Sequence, residues 1–431
     1  MEEKTNNSSQ NQDKRIAMFT PHADPLAQLG SQESGGQNIY IRSLVTYLDK
    51  KGWSIDIFTR WDEPHKKSVS LMGKRSRVIR LKGGPAKYVP KNQLFDHFEE
   101  LYSNFLNVID HQNPYSLFHG HYWDGGWMAI KACRQFSKPF VENFHSIGMI
   151  RFKTKEKYLK NQNERIFIEK RTALEKEIID RSSIIISLSE TEKNDLHSLY
   201  EAPLEKITVI PGGVNLKQFT KIAKEKAREK LNINKDNFII LYVGRLEWRK
   251  GIGTLITAVK LLKSEVPNLE TLIVGGKIYG RQKNFSDFKE YQRLLKKTEG
   301  EGVKEIVHFK GRIDHVQLPL FYSAADIFVI PSYYEPFGLV VLEANASQVP
   351  VVASRVGGLQ TTIKDGETGL LFEPRNCLDL KEKILKLYTS KDLAEKITKN
   401  AYENVKKNYS WTNIADKIDQ IYKSLINGNK Q

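Results

Sequence analysis

Short runs of β-branched and other apolar residues alternate along most of the chain with longer segments in which apolar residues recur at helical spacing. Glycine, proline and asparagine border the short runs, which is typical of parallel strands that helices cover on both faces. The pattern therefore predicts an α/β protein. Its first series of strands is expected at residues 15–20, 55–59, 78–81, 115–120, 139–145, 183–189 and 207–211.

The series of strands starts again in the second half of the chain, at residues 238–245, 271–276, 306–311, 326–332, 349–354 and 369–374. Two doubly wound, Rossmann-like domains are therefore predicted, over residues 15–213 and 214–409. A length of 431 residues agrees with two domains. Because ligands of such sheets bind beyond the carboxyl ends of the strands, the expected site is a cleft between the two domains.

The two ends of the chain differ in character. Residues 1–14 are polar and lack the apolar core of a signal peptide, so we expect a disordered tail. Residues 410–431 begin with a Ser-x-x-Asn capping pattern and carry apolar residues at helical spacing. This predicts a helix that packs back toward the N-terminal domain. No stretch approaches the roughly 18 consecutive apolar residues of a membrane span, so integral membrane association is not expected.

Charge and cysteine content narrow the class of partner. The formal net charge of +16 favours anionic partners, such as nucleic acid, a lipid surface or phosphorylated small molecules. The lysines at 222–231 are mixed with glutamates and no nucleic-acid motif accompanies them, so nucleic acid is not expected. Peripheral membrane association stays open, and nothing in the sequence indicates the oligomeric state. Cys133 and Cys377 lie far apart without ligand-like neighbours, which favours a reducing cytoplasm.

The segment VGRLEWRKG (243–251) places Arg245 and Lys250 between a predicted strand and a helix that opens at Gly251. Two cations and the free N–H groups of a first helical turn suit a bound diphosphate. A plain strand-to-helix turn with surface cations is the alternative, and this motif alone does not exclude it.

The segment ESGGQNIYI (33–41) contains Gly35 and Gly36, which let a ligand approach the backbone closely. It lacks the GxGxxG spacing of a dinucleotide site, and a structural glycine turn is an equally consistent interpretation.

Three histidines, His119, His121 and His145, fall at predicted strand ends on the side of the expected cleft. Neither a ligand-spaced set of carboxylates and cysteines nor an Asp-x-Asp pair accompanies them. Hydrogen-bonding roles are therefore favoured over a metal site.

The most specific signal is the pair Glu335 and Glu343 in YYEPFGLVVLE (333–343). Glu335 lies in a Pro/Gly turn after a predicted strand, and Glu343 follows on the next predicted helix. A carboxylate accepts two hydrogen bonds from vicinal hydroxyls, so the pair can bind two sugars of one extended ligand. A glycosidase would instead place two carboxylates about 5–9.5 Å apart across a single bond.

With these motifs assembled, the chain from Arg15 to its last helix resembles the retaining glycosyltransferases of family 4, which have the GT-B fold. YYEPFGLVVLEANASQVPVVASRVGG is similar to the E-x7-E signature of that family, and GRLEWRKG is similar to its diphosphate site. The N-terminal segments ADPLAQLGSQESGGQNIYIRSL, LKGGPAKYVPKNQL, HYWDGG and HSIG resemble the branch that holds sucrose-phosphate synthases and inositol-phosphate glycosyltransferases.

The resemblance implies that the C-terminal domain binds a nucleotide-diphosphate sugar, most simply UDP-glucose, without a metal or a tightly bound cofactor. Arg245 and Lys250 would bind the diphosphate, Glu343 the ribose, and Glu335 the hydroxyls of the transferred sugar. Further donor contacts are implied for Gly36, Phe337, Gly338 and Leu339. The implied catalytic set is His145, beside the transferred sugar, with Arg245, Lys250 and Glu335.

The acceptor would bind to the N-terminal domain. The residues that the resemblance implies for it are Gly35, Gln37, Lys91, Tyr122, Arg151 and Arg171. Arg151 stands where the sucrose-phosphate synthase pattern carries a lysine, and a guanidinium prefers planar, bidentate contacts. Trp123 replaces a smaller residue of that pattern and matches the His-Tyr-Trp of the inositol-phosphate relatives.

The implied function is that of a metal-independent retaining hexosyltransferase with a phosphorylated sugar or polyol, such as fructose 6-phosphate, as acceptor. One alternative is a family 4 transferase that acts on a lipid or a polysaccharide. The other is a non-catalytic nucleotide-sugar sensor on the same fold. A degenerate sensor would be expected to have lost at least one of five residues, which are His145, Arg245, Lys250, Glu335 and Glu343.

Overall fold

The computed structural model describes residues 14–27, 35–112, 114–155, 162–276 and 286–428. Its internal contacts divide the chain into two compact units. The N-terminal unit comprises Met1–Ala27, Gly36–Pro211 and Thr412–Gln431, and the C-terminal unit comprises Gln28–Gly35 and Gly212–Trp411. The predicted tail, except for Lys14, lies outside the described residues.

The N-terminal unit is built on a sheet whose central strands are apolar and almost fully buried, as strands covered on both faces must be. Its described strands are β1 (Arg15–Phe19), β2 (Ser54–Arg60), β3 (Val69–Leu71), β4 (Arg77–Leu81), β5 (Leu117–His121), β6 (Phe140–Asn143), β7 (Ile184–Ser187) and β8 (Ile207–Val209). The strand order is β3-β4-β2-β1-β5-β6-β7-β8. Every neighbouring pair is parallel except β3 and β4, which are antiparallel.

Helices connect these strands. They are α1 (Gly36–Lys50), α2 (Phe98–Val108), α3 (Tyr122–Phe136), α4 (Gly148–Lys155), α5 (Gln162–Arg181) and α6 (Glu190–Tyr200), with 3-10 turns at Lys91–His97 and Leu204–Lys206. Helix α6 shows why a helix begins where it does. The hydroxyl of Ser189 accepts a hydrogen bond of 3.1 Å from the N–H of Glu192 and so satisfies a donor of the first turn.

The C-terminal unit repeats the architecture with a fully parallel sheet. Its described strands are β9 (Phe238–Val243), β10 (Leu269–Val274), β11 (Val307–Gly311), β12 (Ile327–Ile330), β13 (Val351–Ser354) and β14 (Leu370–Phe372). The order is β11-β10-β9-β12-β13-β14, in which the strand order reverses at β9 and β12. Loops after two such strands are where doubly wound sheets bind ligands.

The helices of this unit cover its sheet. They are α7 (Lys224–Lys230), α8 (Ile252–Leu262), α9 (Ser286–Gly300), α10 (Leu318–Ala324), α11 (Leu339–Ala346), α12 (Leu359–Thr362), α13 (Cys377–Thr389) and α14 (Lys391–Asn408), with 3-10 turns at Trp248–Lys250 and Lys304–Ile306. No helix among the described residues is long and apolar enough to cross a membrane.

The last helix, α15 (Trp411–Gly428), returns the chain to the N-terminal unit. The indole N–H of Trp53 donates a hydrogen bond of 2.8 Å to Asp419 of this helix. The hydroxyl of Tyr422 lies 2.6 Å from Nδ1 of His119. Polar contacts inside an apolar interface fix the rotation of the helix against the sheet.

The prediction of two doubly wound parallel sheets is confirmed, and each predicted strand coincides with a strand of the structure. Three differences concern details. Strand β3 was not predicted, because it is three residues long and Leu71 in it is 78% exposed. Strand β6 ends at Asn143, so His145 lies in the following loop rather than in the strand. The structure divides the two units after Pro211 rather than after residue 213.

Candidate active site

The loops after two neighbouring strands bring together the predicted diphosphate and sugar residues of the C-terminal unit. Lys250 follows β9, and Glu335 follows β12, which pairs with β9. The Lys250 ammonium forms a salt bridge with Oε2 of Glu335, and the two side chains are only 13% and 11% exposed. The structure thus joins two residues that the sequence analysis singled out separately.

A close backbone approach holds this pair in place. Gly251 has φ 67°, and a Cβ on it would lie 1.8 Å from the carbonyl oxygen of Pro331. The N–H of Tyr333 donates a hydrogen bond of 2.7 Å to the carbonyl oxygen of Arg249. Because a left-handed conformation and a missing Cβ are both needed, the loop requires glycine at position 251.

The cations around Glu335 outnumber its acidic neighbours. Burial raises the pKa of Glu335, but Lys250 and Arg249 outweigh burial, so the pKa lies below its usual value. Glu247 binds Arg245 through Oε1 at 2.7 Å and Arg249 through Oε2 at 2.6 Å. A diphosphate would therefore meet cations that carboxylates already hold in place, which is a preorganised arrangement.

The turn that carries Glu335 rests on a pair of glycines. The N–H of Gly358 donates a hydrogen bond of 3.0 Å to the carbonyl oxygen of Glu335. A Cβ on Gly357 would lie 2.4 Å from that oxygen, and one on Gly358 would lie 2.1 Å from the carbonyl oxygen of Pro336. Gly357 and Gly358 therefore determine where the segment at 335–339 lies. This segment contains the predicted donor residues Phe337, Gly338 and Leu339.

Replacing Gly358 with alanine is expected to lower kcat/KM by about 100-fold, because the new Cβ displaces the turn that carries Glu335. Gly300→Ala is the matched control, since a Cβ on Gly300 meets no heavy atom within 4 Å. Steady-state kinetics of both variants checks the expectation. A Gly358→Ala protein with wild-type kcat/KM would contradict the role given to this turn.

Glu343 lies on helix α11 and is held by side chains other than those around Glu335. Its Oε1 lies 2.8 Å from Nε2 of His315, and its Oε2 accepts a hydrogen bond of 3.0 Å from Tyr322. The residue is 4% exposed. Sequence reasoning missed both partners, which precede Glu343 by 28 and 21 residues on separate segments.

In the N-terminal unit, the ring of Tyr122 is the centre of the predicted acceptor residues. The Lys91 ammonium lies 4.8 Å from the ring centroid, and the guanidinium carbon of Arg171 lies 4.6 Å from it. Such distances are typical of cation–π contacts. The structure therefore brings Lys91, Tyr122 and Arg171 together.

Arg171 is buried and its guanidinium is bound within the protein. It donates hydrogen bonds to Glu175 at 2.7 Å, to the Tyr122 hydroxyl at 2.8 Å and to the carbonyl oxygen of Ser146 at 2.5 Å. Burial lowers the pKa of Arg171, but the carboxylate of Glu175 and its other partners outweigh burial, so the pKa is raised above its usual value. In this arrangement Arg171 holds Tyr122 in place.

The same cluster contains two residues that the sequence analysis did not select, His22 and Asp124. Nδ1 of His22 lies 2.8 Å from Oδ2 of Asp124, and its ring centroid lies 4.7 Å from that of Tyr122. The two residues are 102 positions apart, so no short sequence motif contains both of them.

The remaining predicted acceptor residues are distributed over both units. Gln37, on α1, donates a hydrogen bond of 3.2 Å to the Thr20 hydroxyl, and Gly36, which was predicted to contact the donor, begins that helix. Gly35 belongs to the C-terminal unit, where a Cβ on it would lie 3.6 Å from Nε of Arg245. Arg151 falls within α4, and its side chain lies outside the part of the chain that the structure describes.

The three predicted histidines form a row inside the N-terminal unit. The rings of His119 and His121 stack at 4.1 Å, and Nδ1 of His121 lies 3.0 Å from Nε2 of His145. Burial lowers the pKa of His119 and of His145 to about 3, and it lowers the pKa of His121 well below the usual value. Among the described residues, no group of three or more His, Cys, Asp and Glu side chains is arranged to hold a metal ion.

Buried neutral histidines make folding sensitive to acid. Because the unfolded chain binds the proton more readily, the stability they contribute is complete above about pH 6.5 and is lost as the pH falls toward about 3. Each such histidine adds about 1.4 kcal/mol per pH unit to the slope of the unfolding free energy in this window. His119→Gln is expected to reduce the slope by that amount, as measured by denaturant unfolding between about pH 5.5 and 4. His65→Gln, at an exposed position, should leave the slope unchanged, and an unchanged slope in His119→Gln would refute the assignment.

Two protein-family models match this chain, one in each half of the sequence. A model described as "Glycosyltransferase Family 4" matches residues 34–218, and one described as "Glycosyl transferases group 1" matches residues 223–404. The D-inositol 3-phosphate glycosyltransferase of Corynebacterium urealyticum is 31% identical over 95% of this chain and 96% of its own length. The enzyme of that name from Arthrobacter is 30% identical over 87% of each chain.

Two solved structures extend the comparison. The sucrose-phosphate synthase from Thermosynechococcus elongatus superposes with a TM-score of 0.88 at 34% identity, over 96% of this chain and 100% of that one. Anabaena HepE, solved in complex with UDP-glucose, superposes with a TM-score of 0.74 at 19% identity, over 95% and 99% of the two chains. The second likeness concerns the fold alone.

Proposed function

Because the chain belongs to glycosyltransferase family 4 and has the GT-B fold, we propose that it is a retaining hexosyltransferase that uses a nucleotide-diphosphate sugar. The hexose, most simply glucose from UDP-glucose, would pass to a phosphorylated sugar or polyol. The observation that carries the proposal is the buried salt bridge between Lys250 and Glu335, at the carboxyl ends of β9 and β12.

The donor would bind to the C-terminal unit. Lys250 and Arg245 would bind the diphosphate, and Glu343, oriented by His315 and Tyr322, would accept hydrogen bonds from the ribose hydroxyls. The low pKa of Glu335 supports its role, since an ionised carboxylate accepts hydrogen bonds from sugar hydroxyls with both oxygens. Main-chain groups at 337–339 would face the sugar and phosphate.

The proposed chemistry follows from where charge develops. Cleavage of the anomeric C–O bond leaves negative charge on the β-phosphate, and Arg245 and Lys250 would stabilise that charge. A nucleoside diphosphate is acidic enough to leave without a general acid. The acceptor hydroxyl would attack from the face that the diphosphate leaves, and the departing phosphate would take its proton, so that the anomeric configuration is retained.

The acceptor is proposed to carry a phosphate and to bind to the N-terminal unit. The Lys91 ammonium, which lies against the ring of Tyr122, places positive charge there, and the chain as a whole is basic. The names of the similar proteins contain inositol 3-phosphate and sucrose phosphate, and the identities of 31% and 34% do not separate these two possibilities. A cytoplasmic location is part of the proposal, since Cys133 and Cys377 are free thiols.

Product analysis by mass spectrometry tests this function. The pure protein is incubated with UDP-, ADP- and GDP-glucose, each with fructose 6-phosphate or inositol 3-phosphate, and reactions without acceptor serve as controls. A phosphorylated disaccharide or glucosyl inositol phosphate is expected with one pair. Slow release of nucleoside diphosphate without a product would indicate a lipid or polysaccharide acceptor. If no donor binds, the enzyme proposal is wrong.

A further inference from the structure

A line of ring contacts connects the C-terminal helix to the loop that carries His145, entirely within the N-terminal unit. Tyr422 of α15 contacts His119, which stacks on His121, and His121 shares a hydrogen bond with His145. His119 and His121 are fully buried. The ring of Tyr40 meets that of His145 edge-on at 5.0 Å.

We propose that His121 is a positioning residue of the transfer reaction, which holds His145 neutral with its proton on Nδ1. The inference rests on the proposed function, because it concerns His145, which the family resemblance places beside the transferred sugar. His121 itself would not touch either substrate.

The position of the proton follows from counting donors and acceptors. Burial keeps both imidazoles neutral near pH 7, so each ring carries a single N–H. Nδ1 of His121 and Nε2 of His145 are 3.0 Å apart, so one of them donates and the other accepts. The two alternatives differ in what they leave at the other nitrogen of His121.

Nε2 of His121 is buried and has no hydrogen-bond partner among the described residues. If His145 donated from Nε2, the proton of His121 would have to lie on that buried nitrogen. Buried N–H groups without a partner are rarer in proteins than buried acceptors without one. His121 therefore donates from Nδ1, Nε2 of His145 accepts, and the proton of His145 lies on Nδ1.

The backbone conformation of His145 shows that its ring is held in a defined position. His145 has φ 57°, a left-handed conformation that is uncommon for residues with a side chain, although histidine is among the residues enriched in it. The hydrogen bond from His121 and the edge contact with Tyr40 hold the ring of His145 in this position. With its proton on Nδ1, His145 can donate to a sugar oxygen without placing a positive charge beside the developing oxocarbenium ion.

Nitrogen-15 NMR of protein with labelled histidine distinguishes the two tautomers directly and needs no substrate. The ring signals are assigned in the wild-type protein by through-bond correlation to the backbone. At pH 7, the wild type is expected to show His145 protonated on Nδ1 and bare on Nε2. A His145 that is protonated on Nε2, or doubly protonated, would overturn the proposal even if every variant failed to fold.

Two variants then connect the tautomer to the reaction. His121→Phe keeps an aromatic ring but removes the donor, so Nε2-protonated His145 should appear and kcat should fall by up to about 100-fold. The KM for the donor should change less than kcat. His121→Asn offers an amide N–H near the former Nδ1 and should restore the tautomer and most of kcat. If His121→Phe keeps the wild-type tautomer, His121 has no positioning role, whereas a wild type without transferase activity would refute only the proposed function.

Discussion

The Lys250→Met variant is expected to transfer sugar with a kcat about 10²–10³-fold below that of the wild type, which corresponds to about 2.7–4 kcal/mol of barrier. The reason is that Lys250 is one of two cations proposed to stabilise the leaving diphosphate. Its ammonium is already fixed by Glu335, so no reorganisation is needed when negative charge develops. Steady-state kinetics under saturating donor measures the effect.

The same substitution is expected to destabilise the fold, because Glu335 would be left as a buried carboxylate without its partner. Breaking a buried ion pair in this way typically costs about 3–5 kcal/mol. The double variant Lys250→Met/Glu335→Gln should recover much of the stability and none of the activity. Both residues belong to the proposed catalytic set, so an active double variant would contradict the roles given to Lys250 and Glu335.

Lys260→Met is the matched control. Lys260 also forms a salt bridge, with Glu301 at 3.0 Å, but its side chain is 53% exposed. An exposed ion pair contributes at most about 1 kcal/mol to stability. Both kcat and the unfolding free energy should therefore stay near their wild-type values.

Glu343→Gln is expected to weaken the binding of UDP by about 10–100-fold. A hydrogen bond to a charged group contributes about 1.5–3 kcal/mol, and each tenfold in Kd corresponds to about 1.4 kcal/mol. The glutamine keeps the size of the side chain but loses the charge that the ribose hydroxyls would meet. It also changes the contacts with His315 and Tyr322, which orient the carboxylate.

Isothermal titration of UDP into the wild type, Glu343→Gln and the exposed-site control Glu367→Gln measures this effect. The control should bind as the wild type does. Equal affinities for all three proteins would show that Glu343 does not bind the nucleotide, and its assignment to the ribose would have to be withdrawn.

Short apolar runs along the chain were sufficient to predict both sheets. Parallel strands that are buried on both faces consist of nearly continuous apolar residues, and this pattern is easily recognised in a sequence. It could not predict β3, whose residues at 69–71 lie at an exposed edge and carry no continuous apolar run. A short antiparallel edge strand forms because it pairs with the neighbouring strand. Its own sequence therefore need not show the apolar run of a buried strand.

The sequence also indicated which residues belong to the candidate site, without indicating how they pair. Lys250 and Glu335 were both selected, although they are 85 residues apart and only the pairing of β9 with β12 joins them. His315 and His22 escaped notice because a single histidine in a loop has no characteristic spacing. Such partners are determined by tertiary structure rather than by local pattern.

Arg171 illustrates the remaining difficulty. The resemblance implied a direct contact with the acceptor, whereas the structure has its guanidinium bound to Glu175, Tyr122 and Ser146. A local pattern identifies a cation near a site, and it does not reveal whether the cation faces a ligand or the protein. The role of Arg171 as an acceptor ligand stays a prediction.

Proton NMR of the reaction mixture, recorded while the pure protein turns over an α-linked nucleotide glucose with its acceptor, tests the central proposal most directly. We predict that nucleoside diphosphate and one glucosylated, phosphorylated product accumulate in equal amounts, with an anomeric coupling constant that identifies an α-linkage. A β-linked product would contradict retention. Loss of the donor without an equal amount of glycoside would contradict the proposal that a phosphorylated sugar or polyol is the acceptor.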